Sequence, residues 1–195
     1  MAAKENIMVV DTQALYGRFE LSRGLNMIGP EIFDFILSSH RFAPRESAER
    51  DPSCKQIIPY VTIRHGGMWL LFRRKSAQTE TRLHDKYSLG LGGHITPEAN
   101  GSYDPITAGM YRELGEEITI AHGNPRYICV LNDDETDVGR VHLGLYFQAE
   151  AYASDFKLPE AHKMSAQWVE TGALAKYCPM METWSQFIVE REVKA

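Results

Sequence analysis

Glu113, Glu116 and Glu117 stand at i, i+3 and i+4 in one short segment of the chain. On an α-helix, residues with this spacing project from a single face, so the three carboxylates would lie close enough to share a divalent cation. Carboxylate oxygens are hard ligands that suit Mg²⁺ or Mn²⁺. About twenty residues upstream, the pair Gly92-Gly93 would bring bare backbone close to whatever that cation holds. The spacing therefore indicates metal-assisted chemistry on a phosphate.

The helix that would carry these acids is predicted to begin with Asp104 as its N-cap and Pro105 at its first position. Its buried stripe repeats every four residues, at Ile106, Met110, Leu114 and Ile118. At about 100° per residue, Glu113 and Glu117 fall on the flank of that stripe. Gly109 precedes Glu113 by one turn and would keep the same flank uncovered. Acids at the margin of a core repel each other, and a bound cation would neutralise them.

The segment resembles the Nudix box, which runs Gly, five residues, Glu, seven residues, then Arg-Glu-apolar-any-Glu-Glu-any-Gly-apolar. Gly93 matches the opening glycine, and the second half is matched by Arg112, Glu113, Leu114, Glu116, Glu117 and Ile120. Asp104 stands where the family usually has the early Glu. Thr119 replaces the late glycine, and ten residues instead of five separate Gly93 from Asp104, which makes Glu98 a rival for the early acidic position.

The resemblance is to the Nudix superfamily of MutT-like phosphohydrolases, with no subgroup identified. It implies a mixed α/β (α+β) fold, a Nudix-type α/β/α sandwich, over residues 56–195, behind an N-terminal elaboration over residues 1–55. It implies a hydrolase that uses Mg²⁺ or Mn²⁺ to cleave the pyrophosphate linkage of a nucleoside diphosphate joined to another group. The partner is then a small-molecule nucleotide or another diphosphate.

The resemblance also implies roles for individual residues. Glu113, Glu116 and Glu117 would be the metal ligands, with the carbonyl of Gly93 adding an oxygen. Glu113 and Glu116 would also count among the catalytic residues, and Arg112 would orient the carboxylates. The expected contacts to substrate come from Gly92, Gly93, His94 and Arg74. For His94, a structural hydrogen bond is an equally good interpretation.

A general base or fourth carboxylate commonly comes from outside the box in this family. Glu150, at the end of a strand predicted over 138–150, is the first choice here. The acidic turn Asp133–Asp137 is the competitor, and an ordinary solvated turn is an equally good interpretation of it. Trp69, Tyr87, Tyr103 and Trp168 could each stack on a base, although core packing is the usual role of aromatic residues on strands.

Strand and helix patterns surround the box on both sides. In the first 55 residues we expect strands over 7–10 and 16–21, a helix opened by Pro30 and a polar surface loop over 41–55. Strands over 57–64 and 68–73 are joined by His65-Gly66-Gly67, which is a hairpin signal. A strand over 126–131, a short strand over 166–170 and a final helix starting near Pro179 complete the pattern.

Composition restricts the remaining possibilities. The net charge of −5 and pI of about 5.8 argue against binding to a nucleic-acid duplex. Cys54, Cys129 and Cys178 form no CxxC pair, which argues against a disulfide framework and a zinc site. No apolar run approaches the length of a membrane span, and no signal peptide is apparent. We expect a cytoplasmic protein without a membrane partner, and a homodimer is possible through the N-terminal elaboration.

Two alternative functions share the same fold. An isopentenyl-diphosphate isomerase-like enzyme is suggested by Gly92-Gly93-His94, but its activity relies on a catalytic cysteine that the three cysteines do not clearly supply. A catalytically silent, nucleotide-binding Nudix-like module is the other alternative. The intact set Glu113, Glu116 and Glu117 counts against it.

Overall fold

The structure is a computed structural model that describes residues 5–75, 86–97 and 104–194. Two of the positions discussed above, Glu98 and Tyr103, lie outside the described residues. Among the described residues, no helix is both long enough and apolar enough to cross a bilayer.

The described chain has a mixed α/β fold, which confirms the class expected from the sequence. Its helices are α1 (Thr12–Arg18), α2 (Glu31–Ser39), α3 (Arg45–Ala48), α4 (Pro105–Glu117) and α5 (Thr183–Lys194). Its strands are β1 (Asn6–Asp11), β2 (Gly24–Asn26), β3 (Arg41–Pro44), β4 (Cys54–His65), β5 (Met68–Arg74), β6 (Tyr87–Ser88), β7 (Gly90–Gly92), β8 (Arg126–Asn132), β9 (His142–Glu150) and β10 (Met164–Glu170).

The chain divides into two compact units. The first comprises Met1–Tyr60, Gly92–Arg112 and Ile128–Tyr146, and the second comprises Val61–Leu91, Glu113–Tyr127 and Phe147–Ala195. The division at residue 55 that the sequence predicts stays a prediction.

In the first unit, β1 runs antiparallel between β3 and the beginning of β4. Strand β2 pairs antiparallel with β8. The buried residues Ile7, Val9, Ala43, Ala48 and Cys54 form a common apolar cluster. The N-terminal strand therefore contributes both backbone hydrogen bonds and core to this unit.

In the second unit, β5 pairs antiparallel with the end of β4, with β6 and with β10. The hairpin between β4 and β5 turns at Gly66 and Gly67, with φ of 56° and 82°. Positive φ at both central residues is the type I′ geometry that favours glycine, which confirms the predicted hairpin.

Two N-terminal expectations are wrong. Residues 16–21 are not a strand, because α1 occupies Thr12–Arg18 and the Asp11 carboxylate caps it by accepting from the Ala14 N–H at 2.8 Å. The segment 41–55 is not a plain loop, since it contains β3 and α3. Strand β3 could not be recognised from its short sequence because pairing with β1 is what holds it.

Two further boundaries differ from those expected. Strand β9 starts only at His142, after a 3₁₀ turn over Gly139–Val141. Pro179 lies in another 3₁₀ turn, and α5 begins at Thr183. The Glu182 carboxylate accepts from the Trp184 N–H at 2.8 Å, so this side chain sets where the last helix starts.

Candidate active site

Helix α4 presents its acids as the sequence predicts. The Asp104 carboxylate accepts from the N–H groups of Ile106 at 2.9 Å and Thr107 at 3.1 Å, so it caps the helix. The four residues of the predicted stripe are all buried: Ile106, Met110, Leu114 and Ile118. Glu113 and Glu117 are half-buried on its flank, and Glu116 is exposed. The helix therefore holds two of its acids at the margin of the core and one in solvent.

Gly109 has a different role from the one expected. It is buried, and a Cβ at this position would lie 3.0 Å from Cγ1 of Ile95. The flank at Gly109 is therefore covered by Ile95. The missing side chain provides room for this contact, which leaves no open surface there.

A backbone bridge brings a further acid near the end of α4. Thr119 and Lys157 exchange both N–H···O hydrogen bonds at 2.9 Å. Three residues after Lys157 comes Glu160, at the turn that leads into β10. This turn is tied to the end of β5, where the Lys75 N–H donates to the Lys163 carbonyl at 2.7 Å. The second unit therefore contains the last turn of α4 together with Arg74 and Glu160.

The pKa of the Glu117 carboxyl reflects the charges around it. Burial raises the pKa of the Glu117 carboxyl from 4.5 to about 7. The positive charge of Arg74 opposes that rise in pKa. The neighbouring carboxylates add to it, in the order Glu113, Glu160 and Glu116. Oε2 of Glu117 is buried and has no hydrogen-bond partner among the described residues. This group lacks the compensation that a buried carboxylate needs.

The carboxylates around Glu117 are chemically suited to bind a divalent cation, although they are not already arranged as its ligands. Within the described ranges, no group of three or more His, Cys, Asp or Glu side chains is arranged to hold a metal ion. The buried, uncompensated Oε2 of Glu117 and the carboxylates around it are the oxygen donors that Mg²⁺ or Mn²⁺ would need.

Gly92, Gly93 and His94 lie in the first unit. Nε2 of His94 lies 2.8 Å from Oε1 of Gln56, and the His94 carbonyl accepts from Nη2 of Arg112 at 2.7 Å. The next carbonyl, that of Ile95, accepts from the Met8 N–H at 2.8 Å. Segment 94–95 is therefore held from β4, α4 and β1.

His94 is kept neutral by its surroundings. Burial lowers its pKa to about 3, and the charges of Arg45, His142 and Arg112 act in the same direction. The rings of His94 and His142 lie 5.7 Å apart between centroids. A ring with so low a pKa carries no charge near neutral pH, so it could not attract a phosphate as a cation would.

Gly92 is required by packing. A Cβ there would lie 2.4 Å from the carbonyl oxygen of Pro59, in the neighbouring strand β4. Real Cβ atoms do not approach backbone so closely, so only glycine fits at this position. Gly93 is half-buried. The predicted contacts of Gly92 and Gly93 with substrate stay predictions.

The structure leaves the choice of general base open to a third acid. Glu150 is exposed at the end of β9, and its carbonyl accepts from the Gly123 N–H at 2.9 Å. Its charge is not among those that shift the pKa of Glu117, whereas that of Glu160 is. The proximity of Glu160 to α4 could not be predicted from the sequence because it depends on the bridge between Thr119 and Lys157, which uses only main-chain atoms.

The acidic turn after β8 is occupied by structural contacts. Asp133 is 0% exposed and accepts from Nε of Arg23 at 3.1 Å and from the Thr136 hydroxyl at 3.0 Å. Asp134 accepts from Nζ of Lys55 at 2.5 Å and from the Tyr16 hydroxyl. These two acids therefore tie the turn to other parts of the first unit.

Lys55 is the centre of that network and was not recognised in the sequence. It is 0% exposed, and Nζ also donates to Oδ1 of Asn132 at 3.2 Å and to the Gly139 carbonyl at 3.0 Å. Burial lowers its pKa, and the Asp134 carboxylate opposes that change. The available signal was a lysine placed directly before an apolar strand. That pattern is also typical of a solvent-facing strand end.

Two of the aromatic residues considered for base stacking, Trp69 and Trp168, have protein partners. Trp69 is buried and its Nε1 donates to the Thr171 hydroxyl at 3.0 Å. Trp168 is half-buried, donates from Nε1 to the Ser154 carbonyl at 2.8 Å and lies near Phe156. These contacts give both tryptophans a packing role in the second unit.

The chain is similar to known proteins. No protein-family model matches the chain. Protein YmaB of Bacillus subtilis (strain 168) is 34% identical over 168 residues, which cover 82% of each chain. The crystal structure of Tm1382, a candidate Nudix hydrolase, matches with a TM-score of 0.83 and 29% identity, over 97% of this chain and 99% of its own.

A Nudix hydrolase from Nitrosomonas europaea matches with a TM-score of 0.52 and 17% identity, over 72% of this chain and 86% of its own, and shows the fold alone. The Arg-Glu-Leu-Gly-Glu-Glu segment from Arg112 to Glu117 forms the last turns of α4. The chain therefore belongs to the Nudix hydrolase superfamily, a family of phosphoanhydride hydrolases.

Proposed function

We propose that the protein is a divalent-metal-dependent hydrolase that cleaves the pyrophosphate linkage of a nucleoside diphosphate joined to another group. The observation that carries this proposal is the buried, uncompensated carboxylate of Glu117 beside further acids. Phosphoanhydride oxygens are charged and repel an attacking hydroxide. When bound, Mg²⁺ or Mn²⁺ neutralises that charge and acidifies a water molecule.

In this proposal, Glu113, Glu116 and Glu117 hold the metal. Their spacing on α4 and their mutual electrostatic influence support a shared ligand. Glu160 is the fourth acid, either as a ligand or as the base that accepts a proton from water. Arg74 supplies the positive charge on the same side of the second unit and would bind a phosphate oxygen. The carbonyl of Gly93 as a further ligand is an expectation from the family pattern.

Charge and fold support this substrate class. A net charge of −5 favours a small diphosphate carried with its metal over a nucleic-acid duplex. Cys54 and Cys129 are buried, and Cys178 is half-buried. None of the three lies on α4 or in segment 92–94, so the cysteines do not favour an isomerase that needs a catalytic cysteine.

The test is release of phosphate or nucleotide from a panel of nucleoside diphosphate derivatives, with Mg²⁺ or Mn²⁺. The Glu117→Gln variant keeps the size of the side chain and removes its charge. We expect it to lose turnover by about 100-fold or more, because a metal ligand set that loses one charge stabilises the transition state less. Isothermal titration of Mn²⁺ should show weaker binding in the same variant.

Glu170→Gln is the matched control, since Glu170 is an exposed glutamate of β10 in the same unit. It should hydrolyse and bind Mn²⁺ as the wild type does. A wild type that binds nucleotides but hydrolyses none would identify a silent binding module. Rearrangement of a diphosphate without hydrolysis would identify an isomerase.

A further inference from the structure

Glu160 stands on a closed turn of the second unit. The Lys163 N–H donates to the Glu160 carbonyl at 2.8 Å, which closes the turn over residues 160–163. The end of β5 holds this turn through a single residue. The Lys75 N–H donates to the Lys163 carbonyl at 2.7 Å, and Nζ of Lys75 donates to the Ala161 carbonyl at 2.9 Å. The main chain that carries Glu160 is therefore fixed from two sides.

The side chain of Glu160 needs an anchor of its own. It is 45% exposed, and several rotatable bonds separate its carboxylate from the main chain. Its negative charge is among those that raise the pKa of the Glu117 carboxyl, together with the charges of Glu113 and Glu116. Because these negative charges repel one another, a positive partner is what would keep a rotatable carboxylate beside them.

Lys163 provides that positive partner. Its Nζ lies 2.6 Å from Oε1 of Glu160, which is the distance of a charge-assisted hydrogen bond. An ion pair between partly exposed side chains contributes little to the stability of a fold, so stability gives little reason for this one. The pair does restrict the rotation of the Glu160 side chain. Because Lys163 binds Oε1, it leaves Oε2 of the same carboxylate available to another partner.

We propose that Lys163 is a positioning residue whose ammonium binds Oε1 of Glu160 and holds the carboxylate beside the acids of α4, with Oε2 left for the divalent cation or for a water molecule. The inference rests on the proposed function, because it takes Glu160 as the fourth acid of the site. The ammonium also offsets the repulsion between Glu160 and those acids before a cation is bound. Lys163 then affects turnover through Glu160 and makes no contact of its own with substrate.

The first measurement follows the ion pair itself in the metal-free protein, through the ¹H–¹⁵N signals of the lysine ammonium groups. The signal of Lys163 is identified as the one that disappears in Lys163→Met. We expect it to shift in Glu160→Gln, which removes the charge of its partner, and to stay in place in Glu170→Gln. An unchanged signal in Glu160→Gln would overturn the proposal, whether or not the protein hydrolyses a diphosphate.

The second measurement is steady-state hydrolysis, at saturating Mg²⁺, of the nucleoside diphosphate derivative that the wild type cleaves fastest. Lys163→Met should lower kcat by about 10- to 100-fold, the range for loss of a residue that orients a side chain of a metal site, and should leave KM unchanged. Lys163→Arg keeps a cationic donor and should recover most of that loss. Lys157→Met removes an exposed lysine of the same unit and should hydrolyse as the wild type does.

The double variant Glu160→Gln/Lys163→Met tests whether Lys163 acts through Glu160. Its kcat should equal that of Glu160→Gln alone. Additive losses together with a raised KM would overturn the proposal, because they would show that Lys163 binds a phosphate of the substrate itself. A lowered midpoint of thermal unfolding in Lys163→Met would also contradict it, since a positioning role leaves the stability of the fold unchanged.

Failure of the proposed function would give a different result from failure of the positioning role. A wild type that hydrolyses no compound of the panel would reject both. A wild type that hydrolyses one of them, with Lys163→Met equally active, would reject the positioning role alone.

Discussion

Glu117 stands in an environment that disfavours its own charge. Burial alone raises its pKa, and the surrounding carboxylates raise it further against the opposing effect of Arg74. Such an arrangement reduces the stability of the folded chain near neutral pH unless something binds there. Residues that serve a ligand commonly carry a cost of this kind.

The cost should appear in the stability of the metal-free protein. Because the pKa of Glu117 in the folded state is about 7, against 4.5 ordinarily, the folded protein holds this proton more tightly than the unfolded chain. The stabilisation is complete below the ordinary value and is lost as the pH rises through about 7. With a chelator at about pH 8, Glu117→Gln should be more stable than the wild type by about 1–3 kcal/mol.

Urea denaturation at about pH 5 and about pH 8 measures this difference. Saturating Mn²⁺ should stabilise the wild type more than the variant at the higher pH. If both proteins lost the same stability between the two pH values in chelator, the environment assigned to Glu117 would be wrong.

Glu160 and Glu150 compete for the role of the fourth acid. The charge of Glu160 is among those that raise the pKa of the Glu117 carboxyl. We therefore expect Glu160→Gln to reduce kcat by about 100- to 10,000-fold, the range for loss of a general base, while Glu150→Gln changes it less than about twofold. Single-turnover hydrolysis with saturating Mg²⁺ makes the comparison. The reverse ranking would support Glu150, the first choice from the sequence.

Some elements of the first unit depend on close contacts that a sequence pattern does not reveal. The turn between β8 and β9 is the clearest example. A Cβ on Gly139 would lie 1.9 Å from the carbonyl oxygen of Asp133, and the Gly139 carbonyl itself accepts from Lys55. The turn therefore needs both a missing side chain and a buried lysine.

Gly139→Ala should destabilise the protein by about 2 kcal/mol or more, because backbone would have to move to admit the methyl group. Gly115→Ala is the matched control, since Gly115 is exposed on α4 and a Cβ there would meet nothing within 4 Å. It should stabilise the helix by about 0.5–1 kcal/mol. Thermal unfolding of the two variants measures both changes in stability. Equal effects would contradict the close packing of the turn.

Helix α4 and the β4–β5 hairpin could be predicted from sequence because their signals are local. The capping Asp104, the four-residue apolar period and the two consecutive glycines each specify a backbone geometry by themselves. Helix α1 was mistaken for a strand because Tyr16, Phe19 and Leu21 suggest a partly apolar extended run. The Asp11 side chain caps the first turn of this segment and so favours a helix.

At the scale of the whole molecule, the N-terminal segment is part of the first unit. Strand β1 pairs with both β3 and β4, and the Met8 N–H donates to the Ile95 carbonyl at 2.8 Å. The Tyr16 hydroxyl donates to Asp134 in the turn after β8. Contacts between such distant positions could not be foreseen without the fold, and neither could the network of Lys55.

A fragment of residues 56–195 should therefore not unfold cooperatively, since β4 would lose its partner β1 and the apolar cluster around Ile7. A fragment of residues 5–195 is the control and should behave as the full chain does. Circular dichroism during thermal unfolding provides the measurement. A sharp, reversible transition in the shorter fragment would support an independent domain that begins at residue 56.

The bridge between Thr119 and Lys157 explains why a departure from the family pattern can be harmless. Both of its hydrogen bonds use peptide groups, so the threonine side chain takes no part in them. Glycine, serine or alanine could stand at this position during evolution without moving the acid three residues beyond the bridge. Proline could not, because it lacks the N–H that donates to the Lys157 carbonyl. Natural variation at position 119 should therefore be wide in size and polarity, with that one exclusion.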